Sequence, residues 1–183
     1  MKTLQAVNLS KQYNGTIAVN NLNLQLEKGE IFCLLGQNGA GKTTTINLFL
    51  GFTEASSGKS LINGVEVLPG KSDTKKFIAY IPEVVQLYGN MNGIENLDFF
   101  SRLAGFKYSD EMLGGYLSRA GLQKEAHYKR LSAYSKGMRQ KVGIAIALAK
   151  NADVILMDEP TSGLDPKATA EFTEICKGLA AEG

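Results

Sequence analysis

Ile31-Phe32-Cys33-Leu34-Leu35-Gly36-Gln37-Asn38-Gly39-Ala40-Gly41-Lys42-Thr43 is the stretch on which the reading of this chain turns. Its apolar opening, Ile31 to Leu35, has the make-up of a strand buried on both faces, as central strands of α/β sheets are. Cys33, inside that run, reads as a small buried hydrophobe. Gly36 to Thr43 then fits G-x-x-x-x-G-K-[ST], and Thr43 to Leu50 has a helical composition. Strand, glycine-rich loop and helix in that order are the setting in which this pattern binds phosphate. Glycines let the backbone wrap with its N–H groups inward, and the helix adds the positive end of its dipole. Lys42 can reach the β- and γ-phosphates as a point charge, and the Thr43 hydroxyl can ligate Mg²⁺. A dinucleotide fingerprint fits less well, because Thr44 stands where that pattern wants Gly or Ala.

Working outward, Leu22, Leu24 and Leu26 alternate with Asn and Gln as a strand with one wet face does, and Glu27-Lys28-Gly29-Glu30 turns the chain. Leu61 to Val67 carries an Asn63-Gly64 hairpin signal, and Ile78 to Ile81 is a short strand stopped by Pro82. From Gly93 to about Leu131 the pattern is helical, with Ile94, Leu97, Phe100 and Leu103 at helical spacing and Ser109-Asp110 capping a second helix. Lys136 to Lys150 is a third helix, apolar over its later surface. Val154 to Met157 is a second fully apolar strand, which delivers Asp158-Glu159-Pro160 at its end. Asp165-Pro166 caps and opens a last helix with Phe172, Ile175 and Leu179 on one stripe. Adjacent acids at a strand end beside a phosphate loop can divide their labour, with Asp158 holding Mg²⁺ through its water shell and Glu159 polarising a water.

Composition narrows the classes. The chain has 183 residues, 44% hydrophobic and 21% charged, within the globular range and long enough for a core of its own. A net charge of +2 argues for no polyanion in particular, and pairs such as Lys75-Lys76 and Lys129-Arg130 read as solvated faces, so no nucleic acid is expected as a partner. Glycine is in excess, 20 of 183 residues, against a background of about 7%. With one histidine and two distant cysteines, neither a multi-histidine metal site nor a disulfide framework is expected. His127 reads as a solvated helix-end residue. No apolar run approaches the roughly 20 residues of a membrane helix, nor does the N-terminus resemble a signal peptide; a cytoplasmic protein is expected. The switch and base-reading motifs of a small GTPase, Asp-x-x-Gly and Asn-Lys-x-Asp, do not occur.

The chain resembles the ATP-binding cassette of ABC transporters. Besides the two Walker motifs, Ala133-Tyr134-Ser135-Lys136-Gly137-Met138-Arg139-Gln140 is similar to the family's signature, usually L-S-G-G-Q, and Ser162-Gly163-Leu164-Asp165 to its D-loop. The resemblance implies one ABC ATPase domain over 1–183. Within it, 1–92 and 132–183 form a P-loop α/β core with a mostly parallel sheet and an N-terminal antiparallel β subdomain, and 93–131 an inserted helical subdomain. It implies ATP and Mg²⁺, bound by Gly36, Asn38, Gly39, Ala40, Gly41, Lys42, Thr43 and Thr44, with Tyr13 stacked on adenine. Metal contacts fall to Thr43, Asp158 and Glu83, catalytic roles to Glu159, Lys42 and Glu83, and the γ-phosphate of a second ATPase domain to Ser135 and Gly137. The partners implied are that second domain and an integral-membrane permease, at the cytoplasmic face of the cell membrane. A soluble ABC ATPase acting on ribosomes or DNA is the alternative; the absence of heptads and cysteines between Thr43 and Tyr134 speaks against the DNA-repair type.

Three departures stand out. Glu83 occupies the place of the Q-loop glutamine, with Gln86 three residues on. In the signature, Lys136 replaces a glycine and Met138 a glutamine. Pro82-Glu83 together with Ser135 to Met138 resembles the subgroup that serves exporters. Finally, the family's switch histidine, expected on a strand after the D-loop helix, has no counterpart before Gly183. On this reading the sequence is a cassette cut short, expected to turn over weakly and to expose a sheet edge and apolar surface.

Overall fold

The structure, a computed structural model, describes residues 2–182; Met1 and Gly183, the two ends of the sequence reading, lie outside them. Two compact units are formed, one by residues up to 78 with the last few of the chain, the other by 79–179.

In the first unit, β1 (Lys2–Tyr13) and β2 (Thr16–Glu27) pair antiparallel, with Leu4 opposite Leu26, Ala6 opposite Leu24 and Leu9 opposite Leu22. Their turn is Asn14-Gly15, both residues at positive φ, an Asn-Gly signal that the sequence reading did not use. β3 (Ser57–Ile62) lies on the other side of β1 and turns through Asn63-Gly64 into β4 (Val65–Glu66), giving the sheet order β2-β1-β3-β4. This is the hairpin expected there. The alternation of Leu22, Leu24 and Leu26 holds as well, each more buried than its polar neighbours. Helix α1 (Lys42–Leu50) buries Ile46, Leu48 and Phe49 and ends on Gly51, at φ 68°, whose N–H reaches back to the last turn.

One expectation fails in this unit. Ile31 to Leu35 forms no strand, and instead of being buried on both faces Ile31 is 55% exposed and Leu35 91%. Cys33 is exposed with them. Composition does state a preference for burial, but a strand exists only through ladder partners on its edges, and the sheet of this unit is completed by β1 to β4 without it.

The second unit carries β5 (Ile78–Ile81) and β6 (Val154–Met157), paired in a sheet of their own and separated in chain order by the helical stretch. The apolar residues of β6 are each only half-buried. Around this pair stand α2 (Gly93–Leu103), α3 (Asp110–Arg119), α4 (Lys136–Ala149) and α5 (Pro166–Glu182). Ser109, Ser135 and Asp165 cap α3, α4 and α5, each accepting from a backbone N–H three residues on. Leu97, Leu113, Leu117, Leu131, Val142 and Ile144 form the dry centre, with Phe172 of α5 against it.

Two further expectations are corrected. Leu103, at the right spacing for the α2 stripe, is 70% exposed, because the stripe turns away after Leu97 and Ser101 takes the inner place. His127 is not solvated: it is 4% exposed, its Nε2 lies 3.1 Å from the Leu122 carbonyl, and its own carbonyl accepts from the N–H groups of Gly93 and Ile94. Those first-turn donors of α2 need an acceptor, and a residue from a following loop supplies it.

Asn96 is the polar pin of this core. Fully buried on α2, it accepts from the Tyr88 N–H at 2.9 Å and donates to the Tyr88 carbonyl at 3.1 Å, which holds the segment leading into α2. Asn96→Ala strips both partners at once and is expected to lower stability by about 2 kcal/mol, read as a reduced urea midpoint with an unchanged slope.

Candidate functional site

The phosphate loop is built by close backbone approach. Gly41 sits at φ 88°, and a Cβ there would lie 2.2 Å from the Ala18 carbonyl oxygen on β2. Gly39, at φ 85°, has open space around it, whereas a Cβ on Gly36 would meet the Ala40 side chain at 2.8 Å. A turn closes the loop through Ala40 N–H to the Gln37 carbonyl. Lys42 Nζ donates to the carbonyls of Gly36 at 2.8 Å and Gln37 at 3.2 Å, so the ammonium lies within the arc of its own loop. No side chain caps α1, and its first turn holds no acid. Backbone N–H groups, helix dipole and lysine therefore converge on one spot, an arrangement suited to an anion. A cavity of about 340 Å³ adjoins it, lined by Ala40, Gly41 and Lys42 on one side and by Ala18, Val19 and Asn20 of β2 on the other.

Tyr13, at the end of β1, is 44% exposed. Its ring carries the Lys11 ammonium 4.8 Å from the centroid, and its hydroxyl lies 3.4 Å from Thr53 Oγ1. It does not line the cavity beside the loop.

In the second unit, the β5–β6 pairing runs on past the strands, with the Asp158 N–H bonded to the Ile81 carbonyl at 3.0 Å. That bond sets Pro82-Glu83 beside Asp158-Glu159. Burial, helped by the charge of Asp158, pushes the Tyr80 hydroxyl above its ordinary pKa. Glu159 is exposed and has φ 44°; among the described residues it is the one non-glycine at positive φ that is not an asparagine. Such backbone costs about 1 kcal/mol or more for a residue with a full side chain. It projects the carboxylate from the turn in which the Ser162 N–H bonds the Glu159 carbonyl. Nothing in the sequence signals this strain.

The Glu83 carboxylate, given to magnesium by the resemblance, has protein partners on one of its oxygens. Its Oε1 accepts from Ser162 Oγ at 2.9 Å and faces Lys136 Nζ at 3.6 Å. Gln140 Nε2, from α4, donates to the Glu83 carbonyl at 3.0 Å. Ser135 holds the start of α4 as its cap, and behind it Tyr134 is buried, its hydroxyl donating to the Ala126 carbonyl. Ser135, Gly137 and Met138 line a second cavity, about 300 Å³, together with Leu164 and Asp165 of the following loop. The Ser162–Glu83 and Gln140–Glu83 contacts were invisible to sequence reading, since they join positions far apart in the chain.

Thr43 in the first unit and Asp158 in the second each carry a hard oxygen donor of the kind magnesium takes. Among the described residues no three of His, Cys, Asp and Glu gather as a ligand set.

The family model of the ABC transporter matches residues 19–162. The bacitracin transport ATP-binding protein BcrA of Bacillus licheniformis is 35% identical over 179 residues, covering 98% of this chain and 58% of its own length. The Nod factor export ATP-binding protein I of Cupriavidus pinatubonensis is 36% identical over 182 residues, 98% of this chain and 56% of that protein. This chain thus spans a little over half the length of these relatives. Among solved structures, cbiO1 of Clostridium perfringens, part of the transporter complex cbiONQ, superposes with a TM-score of 0.87 at 25% identity, over 99% of this chain and 74% of that one. A dimeric post-hydrolysis state of the cassette MJ0796, bound to ADP and Pi, gives 0.80 at 26% identity, over 98% and 83%.

The two glycines separate close approach from backbone freedom. Gly41→Ala, which must displace the Ala18 carbonyl, is expected to abolish measurable ATP binding in calorimetry, whereas Gly39→Ala bears only the cost of its φ and weakens binding about tenfold. At Glu159, Asn tolerates positive φ and Gln does not. Glu159→Asn is expected to exceed Glu159→Gln in urea-unfolding stability by about 0.5–1 kcal/mol; equal midpoints would count against strain at this turn.

Proposed function

Because the chain belongs to the ABC transporter family, we propose that it is the ATP-binding and ATP-hydrolysing part of a membrane transporter, paired with a second such domain and coupled to a permease. The observation that carries this reading is the anion cradle at Gly36–Thr43, with Gly41 pressed to the β2 backbone and Lys42 inside the loop. Among the described residues no helix is long and apolar enough to cross a membrane. The likeness to transporter ATP-binding proteins supports a permease partner, served from the cytoplasmic face. Outward transport is supported by the export role in the name of one relative and by Pro82-Glu83 with Ser135 to Met138.

In this reading the loop N–H groups and Lys42 hold the triphosphate tail, with Asn38, Ala40 and Thr44 contributing backbone or hydroxyl contacts. Thr43 and Asp158 would hold magnesium, which when bound neutralises charge on the β- and γ-phosphates. Glu159 orients a water and accepts its proton as the water oxygen bonds to the γ-phosphorus and the bond to the β-phosphate oxygen breaks. Its exposure and strained backbone suit a base that must meet a solvent molecule. The preorganised donors of the loop stabilise the charge that develops. Ser135 and Gly137, at the N-terminus of α4, offer a second anion site to the γ-phosphate of the paired domain. Tyr13 serves adenine, its ring face shared with Lys11.

Lys42→Ala is expected to weaken ATP–Mg²⁺ binding about tenfold or more in calorimetry. Glu159→Gln should retain ATP, lose hydrolysis and accumulate dimer on size exclusion with ATP. Wild-type turnover in Glu159→Gln would remove Glu159 from the role of base.

A further inference from the structure

Glu83 and Lys136 are two positions at which the sequence departs from the family pattern by gaining a charge, and the second unit sets these charges against one another. A single carboxylate oxygen, Glu83 Oε1, faces Lys136 Nζ and accepts from Ser162 Oγ. The main chain of Glu83 is held separately, by Gln140, whose side chain is 1% exposed and therefore fixed by the core. Lys136 Nζ also stands 3.6 Å from where a Cβ on Gly163 would be, so the ammonium lies over the turn that follows β6. Three segments meet at Glu83: the loop after β5, the first two turns of α4, and the 159–165 loop.

Charge explains why the two departures occur together. Lys136 is the first residue of α4, Arg139 follows one turn in, and no acid stands in that turn. Cations at the positive end of a helix are unfavourable, and an acid brought from another segment offsets them. Glutamine at 83 would leave Lys136 opposed to the dipole, and glycine at 136 would leave the Glu83 charge without its counter-ion. With side chains 35% and 49% exposed, the ion pair alone would be weak. Its reach comes from the shared oxygen and from the buried Gln140 anchor, which make the contacts one network.

We propose that Glu83 and Lys136 act as one charge clasp, seconded by Ser162, which positions the first turn of α4, and with it Ser135 and Gly137, against the loop that follows Pro82. Glu83 is then a positioning residue that works through α4. The clasp rests on the contacts of the second unit; its consequence for turnover rests on the ATPase reading above.

The test uses the 183-residue chain with Glu83→Gln, Lys136→Gln, the double neutralisation, and the charge swap Glu83→Lys with Lys136→Glu. Amide hydrogen exchange is followed in segments 81–87 and 134–142, with 36–45 as the internal reference. Each single variant is expected to speed exchange in both of the first two segments, the distant one included, and to leave the reference unchanged; the swap should return both toward the parent. In ATP–Mg²⁺ turnover the singles should lower kcat about three- to tenfold at nearly constant KM, with the double no worse than the poorer single and the swap restoring rate. Faster exchange confined to the substituted segment, or a swap as poor as the two singles combined, would overturn the clasp. A parent that binds no ATP would instead sink the ATPase reading, and the exchange experiment would still decide the clasp.

Discussion

A loop that turns its own N–H groups inward must bring bare backbone to its neighbours, and at Gly41 that demand is met twice. The residue lies at a φ that side chains disfavour, and its α-carbon stands so near the Ala18 carbonyl that no Cβ fits. From that contact the rest of the first unit follows. The β1–β2 ribbon supplies the wall, α1 starts with its N–H groups and Lys42 on the loop side, and Ile46, Leu48 and Phe49 hold the helix down from within.

The second unit meets a different constraint. Glu83 and Glu159 stand exposed just past strand ends, on short loops from two paired strands. The hydrogen bond from Asp158 N–H to the Ile81 carbonyl carries the ladder beyond the strands, so the loop with Glu83 and the turn with Glu159 are aligned by the same frame. Backbone strain at Glu159 and the network around Glu83 are two expressions of that alignment, one stored in φ, the other in hydrogen bonds. The helices behind them are pinned by buried polar groups, Asn96 and His127, which answer backbone donors and acceptors that an apolar core would leave unmatched.

What could be read in advance was local. The Asn63-Gly64 hairpin, the caps at Ser109 and Asp165, the helix after the glycine-rich loop and the strand stopped by Pro82 all appear where their residues put them. Each depends on a few neighbouring positions. Misreadings came where a residue's environment is assembled from distant segments. Ile31 to Leu35 has the composition of a central strand but no ladder in its own unit, Leu103 keeps the helical period but lies beyond the packed stretch, and His127, polar and near a helix end, is buried by the backbone groups it satisfies. Glu83 was legible as a departure, but its partners were not, because Lys136 and Ser162 lie 53 and 79 positions away along the chain.

Spacing and residue type alone determined that this protein carries a glycine-rich loop between an apolar run and a helix, a pair of acids after a second apolar run, and an Asp165-Pro166 start to its last helix. Those are short-range facts, dictated by which side chains permit a left-handed turn, end a strand or satisfy a helix N-terminus. Tertiary structure alone decided which carbonyl crowds Gly41, which backbone angle Glu159 must hold, and that the charges of Glu83 and Lys136 face one another. Electrostatic pairing and close packing act through space, and positions far apart in a chain acquire a distance only when the chain has folded.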